Sequence, residues 1–540
     1  MPENIPKVIL NPHAGTALKN GFNQMTRVLE SSMGPTRGTV FHSTDLQSTP
    51  EPITDAATIA RRITELPGRS QNAGAMLLRS LVWRVHQRVG DGCATTAVLA
   101  QSILEHASRY VAAGASAVRV QAGIQKATRH AIASLSKMAM PVKNAEQLVS
   151  VAYTATREPE LSFMLGEMFD LLGEHAHVTV EKYMAPYLER EYIDGGQWKT
   201  RLISPLLVSV AGSGKAIARD CNVVLFNGNL SSAEDVLAII KILGAKEQKN
   251  LLLVAQKISG EAANILVASY VKNKPKLQFV LVELTRAGGK AMNDLQDLSI
   301  LTGARVFDPE TGDRLAAIKP EDMGSARRAE ANTETLVVSG GKGDLALRDE
   351  LMQGLQKYLG SLDFDDKDRQ EIEMRLGRLA GSSGILKVGA YTQNERDVLH
   401  QKAEKGIKAL KAAQQAGVLP GGGTAFLHCI SLVEKMECAD EDERMGYRAL
   451  ARALWRPFEQ ILKNSGINNA RSLAQEINNA PPGLVFDLQQ KRIRLAEESG
   501  VLDPAQTLIV SLETASSGAQ MALSTDVLVL KRNPRISNEP

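Results

Sequence analysis

Aromatic side chains are scarce in this 540-residue chain: Phe, Tyr and Trp make up 4% of it, while alanine and leucine abound. That composition suits packed helices. Cysteine is rarer still, and the four present (Cys93, Cys221, Cys429 and Cys438) show no CxxC spacing. Neither a zinc site nor a disulfide framework is indicated. Charge of one sign is also missing, because 63 Lys and Arg against 60 Asp and Glu leave +3. There is no electrostatic case for a nucleic-acid partner. No apolar run approaches the roughly 18 residues of a membrane span. The segment from Met1 to Lys7 lacks the apolar core of a signal peptide, so a reducing, cytoplasmic setting is expected. The nine histidines form no HxxxH or HxxE pair, and no catalytic metal follows from them. Arg286-Ala287-Gly288-Gly289-Lys290 lacks the GxxxxGK[ST] spacing of a phosphate loop and reads as a basic surface loop. Trp83, Trp198 and Trp455 are expected in the core or in interfaces. No other constellation supports a catalytic function.

What is present is glycine in three telling places. Gly90-Asp91-Gly92-Cys93-Ala94-Thr95-Thr96 turns tightly and runs into an apolar helical pattern. Glycine admits backbone angles that let a chain approach a ligand closely. The helix that follows offers unpaired N–H groups and a positive dipole end to phosphate. Asp91 would be a hard oxygen ligand for magnesium. On spacing alone, a plain Gly-Asp-Gly turn with a threonine cap is the favoured reading. Downstream, Gly417-Val418-Leu419-Pro420-Gly421-Gly422-Gly423-Thr424-Ala425 also leads from one helical pattern into another, and Ser32-Met33-Gly34-Pro35 forms a third turn.

Taken together, these stretches resemble the nucleotide pocket of the group I chaperonins, the GroEL family, whose segments read close to TLGP, GDGTTTAT and VAGGG. The likeness extends in order over nearly the whole chain. It implies a multidomain α plus α/β fold in which a helical equatorial domain is interrupted by a small α+β hinge domain and an α/β apical domain. The boundaries that follow are equatorial 1–137, intermediate 138–193, apical 194–380, intermediate 381–416 and equatorial 417–540.

The patterns agree with that order. Apolar residues recur at three- and four-residue spacing over Ala73 to Val89, Ala97 to Val111 and Ala122 to Met138, with Pro141 as a stop. Between Met33 and Ile59 the pattern lapses, as for a stem loop or short hairpin. Leu161 to Leu172 is amphipathic, and Val178 to Glu181 alternates. Strands at Cys221 to Phe226, Asn250 to Ala255 and Gln278 to Val282 alternate with helices at Ser232 to Leu243 and Gly260 to Val271, which argues an α/β region. Ile385 to Ala390 resembles the family's return strand, and a helix from about Glu395 to Ala416 follows. The polar end, Lys531 to Pro540, is expected to be loose.

Carried over residue by residue, the resemblance implies ATP contacts at Ser32, Met33, Gly34, Pro35, Asp91, Gly92, Cys93, Ala94, Thr95, Thr156, Gly422, Asp487 and Glu498. Asp91 would hold Mg2+, with K+ a further candidate ion. Glu498 takes the place of a ribose-contacting aspartate. Asp55 aligns with an aspartate of ITKDG that positions the attacking water, provided the lysine before it is deleted; without the gap it replaces that lysine. Two departures stand out. Cys93 and Ala94 occupy the places of two threonines, and Lys405 occupies the place of the catalytic aspartate. Its acidic neighbour Glu404 points about 100° away on a helix and cannot substitute. A lysine in place of the acid that orients water damages turnover more than binding.

A second site is implied on the apical domain. The helices carrying Ala233, Val236, Leu237, Ile239 and Ile240, and Ala263, Leu266, Val267 and Ala268, align with the family's substrate groove, with Leu202, Leu206 and Leu207 on an adjoining segment. Without the resemblance, core packing is the favoured explanation of such stripes. As a patch, Leu202, Leu206, Leu207, Leu237, Ile240, Ala263, Val267 and Ala268 would capture non-native polypeptide by burial. The expectation is a chaperonin-like, ATP-dependent ring subunit, homo-oligomeric and heptameric, working with a GroES-type co-chaperonin. Two alternatives remain: an ATPase-impaired accessory subunit of mixed rings, or an ATP-independent holdase.

Overall fold

In the computed structural model the chain is described except for residues 1–6, 37, 44–50, 174, 210–213, 247–248, 274–275, 363–365, 367, 439, 481–482 and 531–540. The expectation of a loose C-terminal tail therefore lies outside the described residues. The chain divides into two compact units, residues 1–170 with 392–540 and residues 171–391.

The first unit is a helical bundle. His13–Leu29 packs along Arg69–Val89, and Ala117–Met138 along Glu441–Leu454. The second pair approaches so closely that a methyl group on Gly123 would sit 2.1 Å from the Glu443 carbonyl oxygen, and one on Gly446 would sit 2.3 Å from that of Val120. Leucine and alanine fill the bundle, with Phe22, Leu99, Phe426 and Leu450 fully buried. Each such large side chain contributes about 1.5–3 kcal/mol by leaving water. Within the 33–59 segment, Val40–His42 pairs antiparallel with Glu51–Ile53, so the expected hairpin forms. Lys7–Leu10 pairs antiparallel with Val527–Leu530, a contact between chain ends that no local pattern announces.

The second unit is α/β. His177–Lys182, Ser382–Val388 and Leu188–Asp194 form a three-stranded sheet. A seven-stranded mixed sheet is organised on the long strand Ala216–Leu230, which pairs with Gly324–Ala331 along its first half and in parallel with Leu251–Ile258 along its second. The pattern over Cys221 to Phe226 thus marks the fully buried middle of a longer strand. Ala233–Ala245 and Gly260–Asn273 follow as helices. Trp198 is fully buried beneath Arg378.

Arg286 departs from the surface-loop expectation. Its guanidinium is 2.9 Å from Asp294 and also pairs with Glu371, and the side chain is only 14% exposed. Arg378 and Arg375 join the cluster at 2.5 Å from Asp294 and 2.7 Å from Asp297. Buried carboxylates there require these counter-ions.

Candidate functional site

The Gly90-Asp91-Gly92 turn joins two long helices, Arg69–Val89 and Cys93–Ala112. Both glycines are left-handed, at φ +75° and +84°. A methyl group on Gly92 would lie 2.3 Å from the Ser511 hydroxyl, so this position excludes other residues on space as well as angle. Ser511 donates to the Gly92 carbonyl at 3.3 Å. No side chain caps the Cys93–Ala112 helix, and its first internal bond runs from the Thr96 N–H to the Gly92 carbonyl at 2.8 Å. The N–H groups of the first turn remain available to an anion.

The second glycine loop repeats the device. Gly423, at φ +82°, starts the uncapped helix Thr424–Glu434. Val418–Pro420 leads into the loop and pairs antiparallel with Leu502–Pro504, which sets Leu419 opposite Asp503. The Gly421 N–H donates to the Val501 carbonyl at 2.9 Å, and the Gly422 N–H donates to the Asp503 carboxylate. At the third turn, Asn464 donates to the carbonyls of Glu30 and Met33 at 2.8 and 3.0 Å, and Gly34 is left-handed at φ +82°. This turn touches the Cys93–Ala112 helix.

Three charges converge beside the first turn. The Lys405 ammonium lies 3.1 Å from an Asp91 oxygen and 3.4 Å from an Asp55 oxygen. Asp55 also caps the helix Ala56–Arg62, accepting from the Thr58 N–H at 2.9 Å and from the Thr58 hydroxyl at 3.2 Å. Burial pushes the Asp55 carboxyl up, but the Lys405 ammonium and the Thr58 N–H outweigh it and hold the group below its ordinary value. Burial likewise opposes the Lys405 charge, and Asp91 and Asp55 overcome it, so its pKa is raised. Asp503 is pushed up to about 6 by burial and by Asp91, against Arg157 and the Gly422 N–H. Burial lowers Lys408, whose ammonium donates to the His86 carbonyl at 3.3 Å.

The remaining sequence-assigned residues divide. Gly34, Asp91, Gly92 and Gly422 are brought to these turns. Ser32 spends its hydroxyl on the Leu29 carbonyl at 2.6 Å, Met33 is buried, and Pro35 is exposed. Ala94 and Thr95 stand on the open first turn, half-buried. Cys93 points inward, its thiol on the Val82 carbonyl at 3.6 Å and raised well above its ordinary pKa by burial, then by Asp55 and Asp91. Thr156 is fully buried, its hydroxyl 2.7 Å from that of Ser162, and it backs onto Gly406 instead of lining the turn. Asp487 is buried and accepts from the N–H groups of Gln489 and Gln490 at 2.8 and 3.1 Å, closing a hairpin.

Glu498 points to solvent, 60% exposed and 3.7 Å from Arg494. The acid beside the glycine loop is Asp503, five residues on, and strand register is what selects it. Glu404 is also exposed and faces His400, in keeping with the 100° argument.

Magnesium takes oxygen ligands at about 2.0–2.1 Å and favours octahedral geometry. A divalent ion on the paired Asp91 oxygen would sit within about 5 Å of the Lys405 ammonium, a repulsion on the order of 6 kcal/mol at an effective dielectric near 20. Magnesium bound with a nucleotide needs only one or two protein carboxylates, and the candidate here, Asp91, is already paired with Lys405 at 3.1 Å. With Lys405 where it stands, the donor set does not fit the ion.

In the second unit, Ala233–Ala245 and Gly260–Asn273 pack together, and the turn Pro205–Leu207 packs on the latter. Leu206 and Leu237 are 60% and 56% exposed. Ala268 is exposed, and Leu202, Ile240, Ala263 and Val267 are half-buried. Leu207 is not part of this face: it is fully buried in the core, and its carbonyl accepts from the Tyr270 hydroxyl at 3.4 Å. Val271, which the sequence reading left out, is 50% exposed on the same helix.

A sequence model of the TCP-1/cpn60 chaperonin family matches residues 25–533. Among solved structures, the chaperonin gp146 from the bacteriophage EL 2 (Pseudomonas aeruginosa), crystallised in the presence of ATP-BeFx, has a TM-score of 0.73 in its crystal form I. It is 18% identical, with 97% of this chain and 99% of that chain covered. Crystal form II of the same protein gives 0.65 at 17% identity with the same coverage. At these identities the likeness is one of fold.

Proposed function

Because this chain belongs to the TCP-1/cpn60 chaperonin family, we propose that it is a ring-forming subunit that binds ATP at the three glycine turns and holds non-native polypeptide on the 206–271 face. The observation that carries the nucleotide reading is the pair of uncapped helix starts behind Gly92 and Gly423, with Asp91 and Asp503 beside them. Phosphate suits the first of these starts. The exposed Leu206 and Leu237 support polypeptide capture, since aliphatic burial is non-directional and tolerates any sequence.

Within this proposal, residues 1–137 and 417–540 form the nucleotide and ring domain. Segments 138–193 and 381–416 form the hinge, and 194–380 the client domain. Rings are heptameric, single or double, and the subunit works in the cytoplasm with a GroES-type lid or beside an ordinary chaperonin in mixed rings. No helix among the described residues is long and apolar enough to cross a membrane.

Lys405 favours the accessory reading with impaired turnover. Phosphoryl transfer depends on oriented water and balanced charge, and here the acid that would orient water, Asp55, is tied to Lys405 and Thr58. The test is ATP binding and steady-state hydrolysis by size-fractionated protein, with Asp91→Ala beside it. The expected result is binding that Asp91→Ala weakens roughly tenfold, with turnover at least about 100-fold below an ordinary chaperonin measured in parallel. Absence of ATP binding, with client capture indifferent to nucleotide, would sink the nucleotide reading and leave a holdase. Ordinary turnover abolished by Asp91→Ala would restore a full folding ATPase.

A further inference from the structure

We propose that the Lys405 ammonium is a built-in cation replacing the divalent metal of this pocket, so that the chain binds ATP without Mg2+. The inference rests on the nucleotide reading above and specifies its ion requirement.

Three observations carry it. The ammonium already pairs with the carboxylate that a metal would use, 3.1 Å from Asp91, and also lies 3.4 Å from Asp55, the acid that would orient water. Only 14% of the lysine side chain is exposed, so it is a built element of the site and not a surface side chain that has folded over. Its origin is also fixed. The 24-residue helix Gln393–Ala416 is held next to it by Gly406, which packs on Thr156 and Leu165, and by the Lys402–Glu158 ion pair at 2.5 Å.

One helical turn on, Lys408 lies against Gly90 and donates to the His86 carbonyl at 3.3 Å. Residues three apart share a helix face, and Lys408 accordingly sits at the end of the Arg69–Val89 helix, so one ammonium lies on Asp91 and a second beside Gly90. A magnesium ion on nucleotide phosphates neutralises charge and fixes geometry. A lysine supplies the first as a point charge, but it cannot supply an octahedral frame. Metal-free binding and poor turnover are thus two consequences of one substitution.

The experiment is calorimetric titration of ATP into the full chain, once with excess magnesium chloride and once with EDTA, for wild type, Lys405→Asp and Lys405→Met. For wild type the two Kd values should agree within roughly threefold. Lys405→Asp should lose roughly 30-fold or more in EDTA and recover with magnesium. Lys405→Met, which keeps the stem and guards against misfolding of the charge-reversed variant, should gain a magnesium response of roughly tenfold. Wild-type binding present with magnesium and lost in EDTA overturns the inference and leaves the nucleotide reading standing. Wild-type binding in neither condition overturns both. A Lys405→Met variant as indifferent to magnesium as wild type also overturns the inference, because Lys405 would then not be the cause.

Discussion

Replacing Lys405 by methionine keeps an aliphatic stem of similar length and removes the charge that separates Asp91 from Asp55. Taking one partner from a fully buried ion pair costs about 3–5 kcal/mol. Here the carboxylates are 31% and 32% exposed, so solvent screening brings the expected loss to about 1–3 kcal/mol. The pH dependence gives the charge its signature. In the wild type the folded Asp55 carboxyl lies below the ordinary carboxylate range, held there against burial by the Lys405 ammonium and the Thr58 N–H. Its stabilisation is therefore present above the unfolded value of about 4 and is lost as pH falls through the depressed folded value. In the variant, burial and the facing Asp91 push the same group up, and folding is then penalised as pH rises. The deficit should therefore be small near about pH 4 and fully open by about pH 7. A chain of two compact units need not unfold in one step. The measurement is amide hydrogen exchange over residues 53–62 and 89–96 during denaturant titration, which reads the local unit. Equal protection in both proteins at neutral pH, or a deficit that does not change with pH, would refute the ion-pair argument.

Asp503→Asn should weaken ATP binding roughly tenfold by calorimetry, whereas Glu498→Gln should leave it within about twofold, because only Asp503 meets the Gly422 N–H. Leu237→Ser and Leu206→Ser together should reduce suppression of aggregation of a chemically denatured client several-fold, with an unchanged melting curve, since both side chains are already exposed. Arg378→Met should cost about 3–5 kcal/mol by leaving Asp294 and Asp297 short of a counter-ion. Asp297 is pushed up to about 6 by burial. In the wild type that group's contribution is present below about pH 4 and is lost as pH rises to about 6, and the variant's extra deficit should grow above about pH 6 in denaturation profiles.

These effects also explain which parts of the molecule could be read from its sequence. The glycine turns were legible because a left-handed backbone is demanded of one residue and written in that residue's identity: Gly90, Gly92 and Gly423 each carry positive φ. The helices were legible for a similar reason, since three- and four-residue spacing is local. Lys405 could be aligned but not understood, because its partners stand at positions 55 and 91 and only the fold brings a charge across that separation. That Asp503 and not Glu498 stands beside the loop follows from strand register. Both are acids in one short stretch, and the pairing of Leu419 with Asp503 decides which faces the loop. Leu206 and Leu207 are chemically identical neighbours, and only the three-dimensional packing sends the second into the core, where its carbonyl accepts from the Tyr270 hydroxyl. Arg286 was misplaced for the same reason, since Asp294 and Glu371 are far from it in pattern though near in space. Backbone demands are single-residue statements, whereas charge and burial are pairwise ones. Where two residues that must be read together lie 350 positions apart, a sequence can supply the atoms of a site and still withhold its chemistry. In this pocket the sequence shows a lysine where the family carries an acid, and only the fold shows that its ammonium faces Asp91.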